Sequence, residues 1–311
     1  MRATREGFQT VTIGARDDAG LQAMFAPAAG MVCCSLRHRG RELLAQRDGL
    51  RAYAERGATM GIPLLYPWAN RLAGFDYPGA RGAVELPRGS ELLQLDPNGL
   101  PIHGVLPGAQ AWELLEVDGA GSSLHARLRW ERIELLAIYP WRHEIELRAS
   151  VEGGQALTLQ TTVRASDDQG AAAMPVAFGY HPYLTLPLGG REACEVELRF
   201  RRRLLLDSRM IPTGASEPLR LRRFELGDRG WDDAFAEPTS RPAFAARAGG
   251  QAIELALLGG YRFGQVYAPA GERFVCFEPM TAPTNALRTR DELPLVAPGD
   301  SFGAAFAIRL G

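Results

Sequence analysis

Ala156-Leu-Thr-Leu-Gln-Thr-Thr-Val-Arg-Ala165 is the stretch that decides the fold. In an extended chain Leu157, Leu159, Thr161 and Val163 fall on one side, and Thr158, Gln160, Thr162 and Arg164 on the other. That period of two is the mark of a half-buried β-strand. Residues 123–135 and 143–151 alternate in the same way, with turns at Tyr139-Pro140 and Gly153-Gly154. Outward from this centre the same grammar continues. Short β-like runs at 9–13, 20–25 and 31–36 are separated by turns at 17–20 and at His38-Arg-Gly40. Residues 194–206 read as a long strand or a strand pair, 251–257 and 261–266 as a hairpin around Gly259-Gly260, and 302–310 as a closing strand. Residues 50–55 form one of the few helical turns. Pro and Gly are spread evenly and no segment has linker composition. The expectation is a single all-β domain over residues 1–311, a large antiparallel β-sandwich with few short helices and its polar loops gathered on one face.

Composition narrows the chemistry. A 46% hydrophobic and 23% charged chain of net charge −1 reads as a soluble globular protein with a sizeable core, and it offers no electrostatic case for nucleic acid or an anionic membrane. The basic run Arg199-Phe-Arg-Arg-Arg203 is flanked by leucines and reads as a solvated strand or turn. The chain has no lysine, so a Schiff base, a pyridoxal-phosphate enzyme and a P-loop are all excluded. Cys33, Cys34, Cys194 and Cys276 form neither a disulfide framework nor a zinc-ligand spacing. Residues 1–10 are polar, and no apolar run approaches a membrane span, so a cytoplasmic location is expected.

Four loops and one strand end carry candidate chemistry. Residues 61–74 are apolar yet hold Pro63 and Pro67, which forbid a helix, and they deliver Trp68, Asn70 and Arg71 together. This set suits a sugar pocket, in which a ring stacks and hydroxyls take the polar groups; a structural loop with Arg71 on backbone carbonyls is the other reading. His103 lies between turn signals at Asn98-Gly99 and Pro107-Gly108, either meeting a ligand or lying on the surface. His181 follows an expected strand at 176–178 and is held by Pro182 in extended geometry, which makes it a better catalytic candidate than His38, His125 or His143, all expected at the surface. In Trp231-Asp-Asp-Ala-Phe235 either Asp232 or Asp233 faces a site, or one of them caps a short helix. Finally, Phe274-Val-Cys-Phe-Glu-Pro279 reads as an apolar strand stopped by Pro279, with Glu278 at its end as a general base or as an acid paired with an arginine.

In their order and spacing these motifs resemble the aldose 1-epimerase (galactose mutarotase-like) family. The resemblance is carried by Asn70-Arg71, Gly99-Leu-Pro-Ile-His-Gly104, Gly179-Tyr-His-Pro-Tyr-Leu184, Trp231-Asp-Asp-Ala-Phe235 and Phe277-Glu-Pro-Met-Thr-Ala-Pro-Thr-Asn285. The second histidine motif departs from the family pattern of an Asn-His pair followed by Tyr-Phe-Asn, since Tyr180 precedes His181 and Pro182 follows it. The resemblance implies a galactose mutarotase-like supersandwich and interconversion of the α and β anomers of a free aldose, without cofactor or metal. It implies Glu278 as base, His181 as acid, His103 hydrogen-bonded near the ring oxygen or C1, and Arg71, Asn70 and Asp232 binding the sugar. A hexose 6-phosphate epimerase, a non-catalytic carbohydrate-binding sandwich, and a metal shared by His103, His181, Glu278 and Asp232 are the alternatives. The expected partner is a small sugar, with no nucleic acid or membrane, and the expected assembly is a monomer or homodimer.

Overall fold

A computed structural model describes residues 1–17, 19–167, 172–187, 190–220 and 222–311, so Asp18 of the turn expected at 17–20 lies outside the described residues. Two large antiparallel sheets dominate. A nine-stranded sheet runs in the order Glu113–Val117, Ser123–Trp130, His143–Glu152, Ala156–Ala165, Ser301–Leu310, Gln251–Gly259, Ala243–Ala248, Glu195–Leu198, Arg223–Glu225. The second sheet runs Pro212–Pro218, Phe200–Leu206, Trp231–Pro238, Phe263–Ala268, Phe274–Met280, Gly179–Tyr180, Leu64–Leu65, with Tyr183–Thr185 also paired to Phe274–Met280. A third, five-stranded sheet is formed by the first 42 residues.

The alternating centre does what its pattern dictates. Ala156–Ala165 pairs with His143–Glu152 on one side and Ser301–Leu310 on the other. Leu157, Leu159, Thr161 and Val163 are buried, while Gln160 and Arg164 are exposed. The buried faces of the two large sheets meet through rings: Phe244 of one stacks on Phe277 of the other at 5.2 Å, and Tyr180 meets Phe306 at 5.1 Å. One apolar core therefore runs between the sheets, which is the antiparallel sandwich expected from the pattern.

Several local expectations need correction. The strand expected over 123–135 ends at Trp130, and Ile133–Leu136 forms a helical turn that sinks Leu135 and Ile138 into the core at a spacing of three. The hairpin expected around Gly259-Gly260 is a crossing between sheets: Gln251–Gly259 belongs to the nine-stranded sheet and Phe263–Ala268 to the other. The strand expected at 176–178 is not formed: Met174–Pro175 and Gly179–Tyr180 are strands on either side of it, and Ala177 makes an isolated bridge to Trp68. Of the two readings of 194–206, two strands are found rather than one long strand, though they belong to different sheets and the chain changes sheet at Arg199. His143, expected at the surface, is buried; Tyr66 Oη lies 2.5 Å from its Nε2 and the Trp141 carbonyl 2.7 Å from its Nδ1, and burial pushes it down to about 3. The helix expected at 50–55 is present as Gly49–Arg56. Among the described residues no helix is long and apolar enough to cross a membrane.

Candidate active site

The site is built on one face of the second large sheet, and strand parity decides what reaches it. Gln265 lies opposite Glu278, and Asp232 opposite Tyr267. The pairings Tyr183↔Cys276 and Gly179↔Met280 belong to one register, which sets His181 opposite Glu278. Side chains alternate across a strand, so Asp232, Gln265, Tyr267, Glu278, His181 and Tyr183 share one face. The intervening Phe235, Val266, Phe277 and Tyr180 enter the core. The same alternation separates the two aspartates. Asp233 points the other way and is bound by Arg203 at 2.6 Å and Arg229 at 4.0 Å. Neither aspartate caps a helix, because Trp231–Pro238 is a strand.

Glu278 is not at a strand end, contrary to the sequence expectation: the strand Phe274–Met280 runs through Pro279. Proline is tolerated here because the partner chain also breaks. Between Tyr180 and Tyr183 the neighbouring strand passes through His181 and Pro182, and no ladder pairing is made. Pro279, opposite Tyr180, and Pro182, opposite Phe277, flank a gap in the ladder, and His181 and Glu278 face each other across it with Nε2 3.2 Å from Oε1. Gly179 allows the close approach, since a Cβ there would lie 2.7 Å from the Pro279 carbonyl oxygen.

Two loops close over this face. Asn70 and His103 both hold left-handed backbone, φ +57° and +61°, which non-glycine residues rarely adopt. They stabilise each other: the His103 N–H donates to the Asn70 carbonyl at 2.8 Å, and Arg71 bridges to Ile102. Asp96 fastens the arrangement from behind. It accepts from the Arg71 Nε at 2.8 Å, from the Asn98 N–H at 2.8 Å and from the Leu100 N–H at 2.9 Å. Asn285 accepts from the Ala73 N–H at 2.8 Å and ties the loop after Glu278 to the loop of Arg71. A directed relay crosses the floor: Arg71 donates to Asn70 Oδ1 at 3.0 Å, Asn70 to Gln265 Oε1 at 3.1 Å, and Gln265 to Asp232 Oδ1.

Burial governs the electrostatics. It pushes Glu278 well above the ordinary carboxylate range, with Asp232 adding to the rise and Arg71 opposing it. It pushes His181 well below the imidazole range, reinforced by His103. His103 is held down to about 3 by burial and then by Arg71. Asp232 is raised by burial, against Arg71 and Gln265. Burial also acts on Asp96, but the Leu100 N–H, Arg71 and Asn98 outweigh it and keep that carboxylate low. The Glu278–His181 pair therefore favours one shared proton, as a buried pair of opposite intrinsic charge should. Oε2 of Glu278 and Nδ1 of both His103 and His181 have no hydrogen-bond partner among the described residues. Buried polar atoms without partners are uncommon and mark places where a ligand can complete the bonding.

Asn70, Arg71, His103, His181, Asp232 and Glu278 all line a single cavity of about 170 Å³. Larger concavities exist, such as one of about 540 Å³ beside the hairpin Asp76–Glu85, but among the described residues its charged groups are Arg81, Glu85 and Arg142, which make no facing acid–base pair. The remaining lining residues are Arg47, Thr59, Ile102, Tyr183, Gln265 and Tyr267. Gln265 and Tyr267 had a legible signal: two polar-tipped residues at alternate positions of an apolar strand. Trp68, grouped with Asn70 and Arg71 in the sequence reading, is buried in the core and does not line the cavity. Among the described residues no group of three or more His, Cys, Asp or Glu side chains is placed to hold a metal ion.

Solved structures share this architecture over nearly their whole length. A galactose mutarotase-like protein from Clostridium acetobutylicum matches with a TM-score of 0.83 at 16% identity, covering 100% of this chain and 98% of that one. The Slr1438 protein of Synechocystis sp. PCC 6803 matches at 0.77 and 20% identity, covering 97% and 96%. A putative aldose 1-epimerase from Escherichia coli K12 matches at 0.75 and 16% identity, covering 97% and 99%. No curated protein sequence matches the chain. The sequence model of the family described as aldose 1-epimerase matches residues 15–309, and the chain therefore belongs to the aldose 1-epimerase family.

Proposed function

We propose that the protein interconverts the α and β anomers of an aldose by general acid–base ring opening and closure. The observation that carries this reading is the buried Glu278–His181 contact at 3.2 Å, with the two groups shifted in opposite directions. Anomerisation needs a base at the C1 hydroxyl and an acid at the ring oxygen. Those two oxygens share one carbon, so the acid and base must be close neighbours, as this pair is. The cavity is below the roughly 300–1,000 Å³ of pockets for drug-sized ligands, which suits one monosaccharide ring.

In the reaction, the Glu278 carboxylate takes the O1 proton while the His181 imidazolium donates to the ring oxygen. The C1–O5 bond breaks, leaving an aldehyde, a hydroxyl at C5, a carboxyl and a neutral imidazole. The aldehyde end rotates. On closure the C5 hydroxyl adds to the other face of C1, returns its proton to His181, and O1 receives the proton held by Glu278. One proton on the pair suffices throughout. Burial makes the ion-pair form scarcer but also more reactive: a carboxylate with a raised proton affinity is a stronger base, and an imidazolium with a lowered one a stronger acid. Asn70, Arg71, Asp232 and Gln265 bind hydroxyls, and His103, neutral, hydrogen-bonds near C1 or the ring oxygen.

Polarimetry on freshly dissolved α-glucose and α-galactose tests the reading: the protein should speed the decay of rotation well beyond buffer, and an unchanged decay for both, and for other aldoses, would refute it. A pH profile follows from the shared proton. A second proton is gained only at a pH well below the ordinary imidazole value of 6.5, and the first is lost only well above the ordinary carboxylate value of 4.5. Catalysed kcat/KM is therefore expected to fall in acid only well below pH 6.5 and in alkali only well above pH 4.5, and an acid limb centred at 6.5 would contradict the shared proton. The two aspartates should also separate. Asp232→Asn is expected to lower kcat/KM by about 10–100-fold, the loss of a charged hydrogen bond to substrate, and Asp233→Asn by less than about threefold. Equal losses in steady-state assays would place the wrong aspartate in the pocket.

A further inference from the structure

The cavity is lined by two arginines, and among the described residues one of them, Arg71, has a carboxylate partner. Arg71 is bound to Asp96 at 2.8 Å and hydrogen-bonds Asn70. Arg47, on the wall beside His181, has no carboxylate within 4.0 Å among the described residues. Its contacts are the Tyr183 hydroxyl, to which Nη1 donates at 3.1 Å, and the ring faces of Tyr183 and Phe274 at 5.2 and 5.7 Å. A guanidinium has five N–H donors in a fixed fork, so most of this one's capacity is unspent.

The position is also held. The Ala45 N–H donates to the Tyr183 carbonyl at 2.8 Å, and Leu44 bridges to Leu184, which pins the backbone just before Arg47. Thr59 Oγ1 lies 2.6 Å from the Tyr183 hydroxyl and fixes the acceptor that orients the guanidinium. The Tyr183 ring in turn stacks on His181 at 4.5 Å and 7°. The cation thus stands one aromatic ring away from the acid–base pair. Arg47 is exposed at the cavity rim, so water solvates its charge; a neutral sugar could offer it only hydroxyl acceptors, whereas a carboxylate or phosphate would form a charge-assisted, two-pronged bond.

We propose that Arg47 is a specificity-determining residue, and that the site selects an aldose bearing an anionic group, a carboxylate or a phosphate, over its neutral counterpart. This rests on the anomerase reading and deepens it.

The test is equilibrium exchange NMR between α and β anomeric signals, run with D-glucose, D-glucuronate and D-glucose 6-phosphate, with spontaneous exchange subtracted. The wild type is expected to show a kcat/KM at least about tenfold higher for one of the anionic sugars than for glucose, and which one identifies the anion. Arg47→Met should lower that ratio by about tenfold or more, and Arg47→Lys should retain part of it. A wild-type ratio within about twofold of unity for both anions would overturn the proposal, as would a preference that survives Arg47→Met. Ligand-observed NMR affinities of Glu278→Gln for the same three sugars read the charge preference without turnover. An anion preference in binding with no catalysed exchange in the wild type would sink the anomerase reading alone, and exchange without charge preference would sink the Arg47 assignment alone.

Discussion

Glu278→Gln is expected to lower catalysed anomerisation by about 10²-fold or more, with the fold intact. The amide has the same shape as the acid but cannot take the O1 proton. The loss will not come from unfolding. Glu278 is fully buried and its proton affinity is raised by burial, so above pH 4.5 the folded state binds the proton more tightly than the unfolded chain. By linkage, such a group reduces stability as pH rises through that window. Removing the titration leaves Glu278→Gln at least as stable as the wild type at neutral pH, with the difference shrinking as pH falls towards 4.5. A lower thermal midpoint at pH 7 would contradict this. His181→Asn should cause a loss of the same order, because the two groups share one proton. The double variant should be scarcely slower than the worse single variant, since residues that act as a unit are not additive. Multiplying losses would mean that the two side chains act separately.

The second large effect is structural. Gly99 and Gly104 flank His103 in one loop and share the same left-handed backbone, φ +74° each, but their surroundings differ. A Cβ at Gly99 meets nothing within 4 Å, whereas one at Gly104 would lie 2.0 Å from the Tyr66 carbonyl oxygen, 2.3 Å from its carbon and 2.8 Å from Pro67 N. All three are backbone atoms and cannot rotate aside. Gly99→Ala therefore reports backbone strain alone, about 1 kcal/mol. Gly104→Ala adds a forced separation of the two loops and loss of the Val105 N–H bond to the Tyr66 carbonyl. About 3 kcal/mol or more is expected, a drop in thermal midpoint of roughly 5–10 °C, together with reduced activity as His103 shifts. Equal midpoints for the two variants would show that the close approach at Gly104 does not matter.

How much was legible in the sequence depended on whether the signal was local. The alternation at 156–165 is a property of ten consecutive residues, and the structure follows it residue by residue. Five of the six candidate residues came from expected loops and the sixth, Glu278, from an expected strand end, and all six line one cavity. Errors came where tertiary context overrode a local rule. Pro279 normally ends a strand, but the break at Pro182 in its neighbour lets the strand continue. Gly259-Gly260 is good hairpin chemistry, yet the chain changes sheet there. His143 stands in a polar-looking run, but Tyr66 and Trp141 meet its two ring nitrogens and make burial tolerable. Asp232 and Asp233 could not be told apart until register fixed the parity. Arg47 had no local signal, because its significance lies in having no carboxylate partner among the described residues.

The most direct measurement is a crystal structure of Glu278→Gln with a bound aldose. The account predicts that the anomeric hydroxyl lies within hydrogen-bond distance of the residue-278 side chain and the ring oxygen within the same distance of His181 Nε2, with the C1–O5 bond between them. A sugar bound with its anomeric carbon away from both side chains would contradict it.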